Sequence, residues 1–272
     1  MLNGRIFGAM DEVADDEKVR AQTVEVWEFA NDSPVGMLMA HPMHVHNVQF
    51  RVLSRSVSSV QSAQLQTLRS GIVDEGLKDV VQVLPGERVQ VLMRFEPHSG
   101  IYLTHCHILE HEDLGMMRNL LVQAALRRLH TVKSGGTATT AVISGAISAD
   151  GGLTLTNEIT APARVDIHAS ISPEAGHVGR TAGIVVVLQL LHSNSWLTLT
   201  ANGELRPFNS AAIEFHKEIT ALQNYHEITL YSGTLAATEK GLFHLYIGYA
   251  VDGSRSASDL IYSAEPLILT VR

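Results

Sequence analysis

The chain has 272 residues, 45% hydrophobic and 18% charged, with a mean hydropathy of +0.10, so it can bury a sizeable core and is neither disordered nor fibrous. Lys and Arg number 20 against 28 Asp and Glu, and the resulting net charge of −8 argues against nucleic acid or an anionic membrane as a partner. A single cysteine, Cys106, excludes an intrachain disulfide framework and stands beside 14 histidines.

Residues 1–10 lack the basic start and apolar stretch of a signal peptide. The charged stretch 11–20 predicts a short helix. Alternating apolar residues in TVEVWEF (23–29), VQFRVL (48–53), DVVQVL (79–84), RVQVLMRF (88–95) and IYLTHCH (101–107) predict half-buried strands between Gly, Pro and Asn breakers. Residues 56–70 are polar enough for a loop or an exposed helix. These elements imply a first domain, 1–128, built as an antiparallel β-sandwich or barrel. Small polar residues around Ser134, Gly135 and Gly136 make 129–141 a flexible linker. Beyond it, seven short strands (164–171, 184–190, 196–200, 212–219, 227–231, 242–249 and 267–271) predict a second β-sandwich over 142–272, with Trp196 as its core anchor. The longest apolar run, 184–191, is far short of the ~20 residues of a membrane helix, so no membrane insertion is expected.

Six of the seven histidines in the first section fall in two clusters, His41–His44–His46 and His105–His107–His111. If 101–107 is a strand, successive side chains point to opposite faces, so Cys106 faces one way and His105 and His107 the other. One strand then serves two metal sites. On the Cys106 side the available donors are the thiolate, His111 and Met116 at successive five-residue steps, and a further imidazole from His41. Cys, two His and a weak axial Met make a blue-copper electron-transfer set. On the other side His44 and His46, themselves at alternating spacing, are the natural partners of His105 and His107. An all-imidazole cluster suits copper that handles dioxygen, and the tripeptide joins the two sites by a few covalent bonds.

Residues 3–122 resemble the last cupredoxin domain of the multicopper oxidases, the group of laccases, spore-coat laccases, bilirubin oxidases and cuprous oxidases. The resemblance runs through Asn3-Gly4, Val26-Trp27-Glu28, His41-Pro42-x-His44-x-His46, Phe50-Arg51-Val52-Leu53, Gly76-Leu77-Lys78-Asp79-Val80 and His105-Cys106-His107 with His111, Glu112 and Met116. It implies a cupredoxin-like Greek-key β-sandwich in which His41, Cys106, His111 and Met116 hold type 1 copper. It further implies His44 on type 2 copper, His46, His105 and His107 on the type 3 pair, and Glu112 as a proton donor to reduced oxygen. Family members complete the oxygen site with two His-x-His pairs from an N-terminal domain, and no third His-x-His occurs here. The expectation is therefore the C-terminal part of a laccase-type enzyme, inactive alone, that needs its missing cupredoxin domains or a partner chain.

The implied reaction couples one-electron oxidation of a phenolic or metal-ion donor to dioxygen reduction, in the periplasm or outside the cell. A non-enzymatic blue-copper electron-transfer module is the alternative. The remaining histidines, isolated in sequence, are expected as ordinary polar groups, Met37, Met39 and Met43 as packing, Met117 as core, and Lys78-Asp79 as a solvated turn.

Overall fold

The computed structural model describes residues 1–8, 13–32, 39–57, 63–238 and 240–272, with side chains described for all of these but 63–66. Residues 11–12 of the charged stretch, 58–62 of the polar stretch, and Met37 lie outside the described residues. The chain divides into two compact units, Met1–Ala125 and Leu126–Arg272.

The first unit contains β1 (Lys18–Arg20), β2 (Val24–Ala30), β3 (His41–Val45), β4 (Phe50–Val57), α1 (Ala63–Ser70), β5 (Val80–Val83), β6 (Glu87–Arg94), β7 (Gly100–Cys106), α2 (Leu109–Asp113) and β8 (Met117–Gln123). They form a five-stranded sheet ordered β1-β8-β7-β3-β5 and a three-stranded sheet ordered β2-β6-β4, the crossed order of a Greek-key, cupredoxin-like sandwich. Period-two patterning builds the core. On β6, Val89, Val91 and Met93 are buried while Gln90 and Arg94 face solvent. They pack with Val45, Phe50, Val81, Phe95, Leu120 and Val122, each worth about 1.5–3 kcal/mol of burial.

Among the described residues 13–20, the short helix expected over 11–20 is a 3-10 turn, Asp15–Glu17, that runs directly into β1. Glu17 is the physical reason. Its carboxylate, 5% exposed, accepts from Arg118 Nε at 2.6 Å, from Arg5 Nη1 at 2.7 Å and from the Ala14 N–H at 3.0 Å. Burial alone would push this carboxyl up, but the three donors outweigh it and hold it at about 2. That network ties the turn to β8, with which β1 pairs in parallel, and overrides the local helical preference.

The second unit contains β9 (Arg127–Leu129), β10 (Thr131–Lys133), β11 (Val142–Ser148), β12 (Glu158–Ile159), β13 (Ala163–Ser172), β14 (Ala182–Leu190), β15 (Ser195–Leu199), β16 (Leu205–Pro207), β17 (Lys217–Ile219), β18 (His226–Leu235), β19 (Gly241–Val251), β20 (Ile261–Ser263) and β21 (Leu267–Val271). A four-stranded sheet, β18-β13-β11-β9, and a nine-stranded sheet centred on β14 and β19 enclose one core around Ile143, Ile171, Ile184, Ile247 and Tyr249.

Two expectations are corrected here. The linker expected at 129–141 is largely woven into this second unit: β9 pairs with β11, β10 pairs with β20, and Leu129 is 2% exposed. Buried backbone needs hydrogen-bond partners, and these strand edges supply them despite the small polar composition. Trp196 is not the core anchor. It is 42% exposed on the outer face of its sheet, its ring tilted against Tyr246 with centroids 5.6 Å apart, because the alternation along β15 turns Leu199 into the core. Of 212–219 only Lys217–Ile219 is strand; Ile213 and Phe215 instead cover Val185 and Val187 on that outer face. Among the described residues no helix is long and apolar enough to cross a membrane.

Candidate metal centre

Strands β3 and β7 lie side by side with Met43 opposite Cys106, His44 opposite His105 and Val45 opposite Thr104. Paired residues share a face, so this register sorts the donors. Cys106 points with Met43 into the buried core, and His105 points with His44 to the other side of the sheet.

On the buried side Cys106 Sγ lies 3.6 Å from His41 Nδ1 and 3.5 Å from His111 Nδ1, and the two rings are 5.1 Å apart. His111 reaches this position from α2, held by the turn that follows it. The His111 carbonyl accepts the Met116 N–H at 2.8 Å, and the Met116 carbonyl accepts the Cys106 N–H at 3.0 Å. Gly115 makes the turn at φ +85°, where an added Cβ would sit 2.6 Å from Ile6 Cγ2. Only glycine fits there without strain. Met116 packs against the cluster that contains Cys106, whereas Met117 begins β8 opposite His105. Burial pushes the Cys106 thiol up and pushes His41 down, the latter reinforced by His111. A cation beside Cys106 would favour its thiolate, and the lowered His41 favours a neutral imidazole able to share that cation.

On the opposite side His44, His46 and His105 bring one donor atom each within 4.8 Å of one another. His46 Nε2 and His105 Nε2 face each other at 3.2 Å. Outer hydrogen bonds set the tautomers: His44 Nδ1 donates to the Asp79 carbonyl at 2.6 Å, and His105 Nδ1 donates to the Cys106 carbonyl at 3.1 Å. Each bond leaves Nε2 with a lone pair, which is the usual second shell of a ligating histidine. Burial and the neighbouring rings His44 and His105 push His46 down, which favours its neutral, metal-binding form. His107 stands beside this group, its ring 5.6 Å from His44 and 5.4 Å from His105. Glu112 lies 3.4 Å from His105 Nδ1. An open cavity of about 760 Å³ borders His44 and His46.

The two donor sets differ in softness as well as place. Thiolate with imidazole suits copper or zinc, and several converging imidazoles suit copper, zinc or iron. Residues 3–125 match the family model described as "Multicopper oxidase". The first unit is a multicopper oxidase domain. It is 41% identical over 124 residues to a laccase of Haloferax volcanii, a match covering 45% of this chain and 19% of the relative. It is 39% identical over 95 residues to the bilirubin oxidase of Albifimbria verrucaria, covering 35% and 15%. A solved multicopper oxidase of Campylobacter jejuni, described as a metallo-oxidase, is 34% identical over 44% of this chain and 22% of its own, with a TM-score of 0.35. The chain spans about a fifth of the length of the first curated relatives it matches.

Within this multicopper oxidase domain six of the eight residues singled out as donors gather in two groups, His107 stands beside the second, and Met116 packs against the cluster that contains Cys106. Sequence reading missed the Asp79 carbonyl, because a backbone acceptor carries no residue-type signal, and treated Lys78-Asp79 as a solvated turn. It also passed over Gly115, whose position one before Met116 was the available clue.

Proposed function

We propose that the first unit is the copper-holding part of a laccase-type oxidase that takes single electrons from a donor and delivers them to dioxygen. The observation that carries this reading is the sorting of donors by β7, with Cys106, His41 and His111 on one face and His105, His44 and His46 on the other. Copper, when bound, would supply one-electron exchange at the thiolate face and dioxygen chemistry at the imidazole face. His41, Cys106, His111 and Met116 would hold the type 1 ion. His44 serves the type 2 position, and His46, His105 and His107 serve the type 3 pair. The peptide from Cys106 to either neighbour joins the faces through a few bonds. Glu112, beside His105 Nδ1, stands where it can hold a proton for the reducing side. Leu109 and Leu114, 67% and 77% exposed, flank His111 and give a phenolic donor an apolar surface to approach.

The imidazole face here has four histidines, and the sequence holds no other His-x-His pair. We assign the missing donors to N-terminal cupredoxin domains or a partner chain, so that the chain alone does not reduce oxygen. The working site is the periplasm or the extracellular space. The completeness of the Cys106 set by itself favours a second reading, a blue-copper electron carrier.

Anaerobic copper titration of the purified chain, followed by absorption, paramagnetic resonance and then oxygen uptake, tests both. The expected result is one ion with an intense thiolate band and no oxygen consumption without a partner. A thiolate-free spectrum at full copper loading overturns the assignment. Failure of every added cupredoxin partner to restore oxygen uptake leaves the electron carrier.

A further inference from the structure

The second unit contains a cavity that the metal chemistry does not use. It measures about 450 Å³ and opens between the two sheets where β14 ends, β18 ends and β19 begins. This is within the range of pockets that take small organic ligands, about 300–1,000 Å³. Its floor is aliphatic and buried: Val165, Ile167, Leu230 and Leu245 are each 6% exposed or less. Its mouth is different. Leu205, 49% exposed, gives way there to exposed Thr238, Lys240 and His192. The His192 ring lies against the start of β19, where a Cβ on Gly241 would sit 3.4 Å from Nδ1, so His192 and Lys240 share one side of the opening.

An aliphatic shaft under a basic, hydrogen-bonding rim has the polarity of a single-chain anionic amphiphile. We propose that the second unit binds one free aliphatic carboxylate, with its chain between the sheets and its head at Lys240 and His192. The lining favours a flexible chain over a flat aromatic ring, because Leu, Ile and Val from both sheets dominate the shaft. The rim favours an anion over a cation, since its lining includes the lysine Lys240 and no carboxylate among the described lining residues. The enclosing sheets favour a monomeric ligand over a bilayer, because the apolar floor lies below the rim and only an extracted chain reaches it.

The test is calorimetric titration of the full chain with dodecanoate below its micellar concentration. Dodecanol, dodecyltrimethylammonium and anionic phospholipid vesicles run as parallel arms. One dodecanoate per chain is expected, with dodecanol weaker and dodecyltrimethylammonium not saturating. Lys240→Glu is expected to weaken dodecanoate roughly ten-fold while leaving dodecanol unchanged. Val165→Phe plugs the floor and is expected to abolish binding of both. His192→Glu, at an exposed position, repeats the rim test independently. No saturable binding of dodecanoate, equal binding by the two head charges, an unchanged affinity in both rim variants, or binding to vesicles alone would overturn the proposal. Copper content stays constant in all these variants, which separates this result from any result at the metal centre.

Discussion

Each unit carries seven histidines in a sandwich of mostly antiparallel strands, yet among the described residues only the first gathers them into donor sets. Register makes the difference. In the first unit two His-x-His repeats sit on neighbouring strands with His44 opposite His105, so the period of two stacks the rings on one face. In the second unit histidines stand on separate strands and loops, several with a local partner. His168 meets Thr229 Oγ1 at 3.4 Å, His177 meets Tyr249 Oη at 3.1 Å, and His216 meets the Thr200 carbonyl at 3.2 Å. Donor number alone does not make a site; repetition at the strand period on paired strands does.

The largest expected effect comes from the one residue that has no analogue in the second unit. Cys106→Ser should remove the ion and all visible colour from the buried face, read by metal analysis and absorption. Unchanged colour would erase the contrast between the units.

Next is the ion network that anchors β1. Glu17→Gln leaves Arg118 buried without its charge partner and should cost the first unit about 3–5 kcal/mol in denaturant unfolding, with the second unit's transition unmoved. The pH dependence follows from the same carboxyl. Its folded value, about 2, lies below the ordinary 4.5. Its stabilisation is therefore fully present above the ordinary value and is lost as pH falls through about 2. Melting curves of parent and variant should converge along that acid limb.

A smaller effect sharpens the claim that α2 and the turn after it, not a strand, finish the buried site. Gly115→Ala forces a side chain into positive φ against Ile6, and should cost about 1–3 kcal/mol and shift the visible band by displacing Met116. The smallest effect lies in the second unit. Tyr249→Phe removes hydrogen bonds to His177 and to the Glu174 N–H, and should cost about 1 kcal/mol with copper content unchanged. Burial pushes the Tyr249 hydroxyl up to about 12. Its contribution is thus intact below the ordinary value of 10.0 and is lost as pH rises through about 12, which ultraviolet titration follows.

Much of this was legible in the residues. The strand runs at 23–29, 79–84, 88–95 and 101–107 lie within a residue or two of observed strands because each has one wet and one buried face. The two histidine clusters were legible for the same reason, since a chelating pair must repeat at the strand period. The pairing of 127–133 into the second unit was not legible, because small polar residues accept either a loop or an edge strand and distant partners decide between them. Trp196 misled because bulk suggests a core, while the face it occupies depends on which neighbours of β15 turn inward.

By itself the sequence determined the chemical inventory: which donors exist, at what spacing, and on which side of a strand each must lie, since alternation is a property of the local backbone. The tertiary structure alone decided which strands pair. It thereby placed His44 against His105, brought the Asp79 carbonyl to a ring nitrogen, and folded the Gly115 turn so that His111 returns to Cys106. Those contacts join residues far apart in the chain, and only packing of the whole sheet selects them.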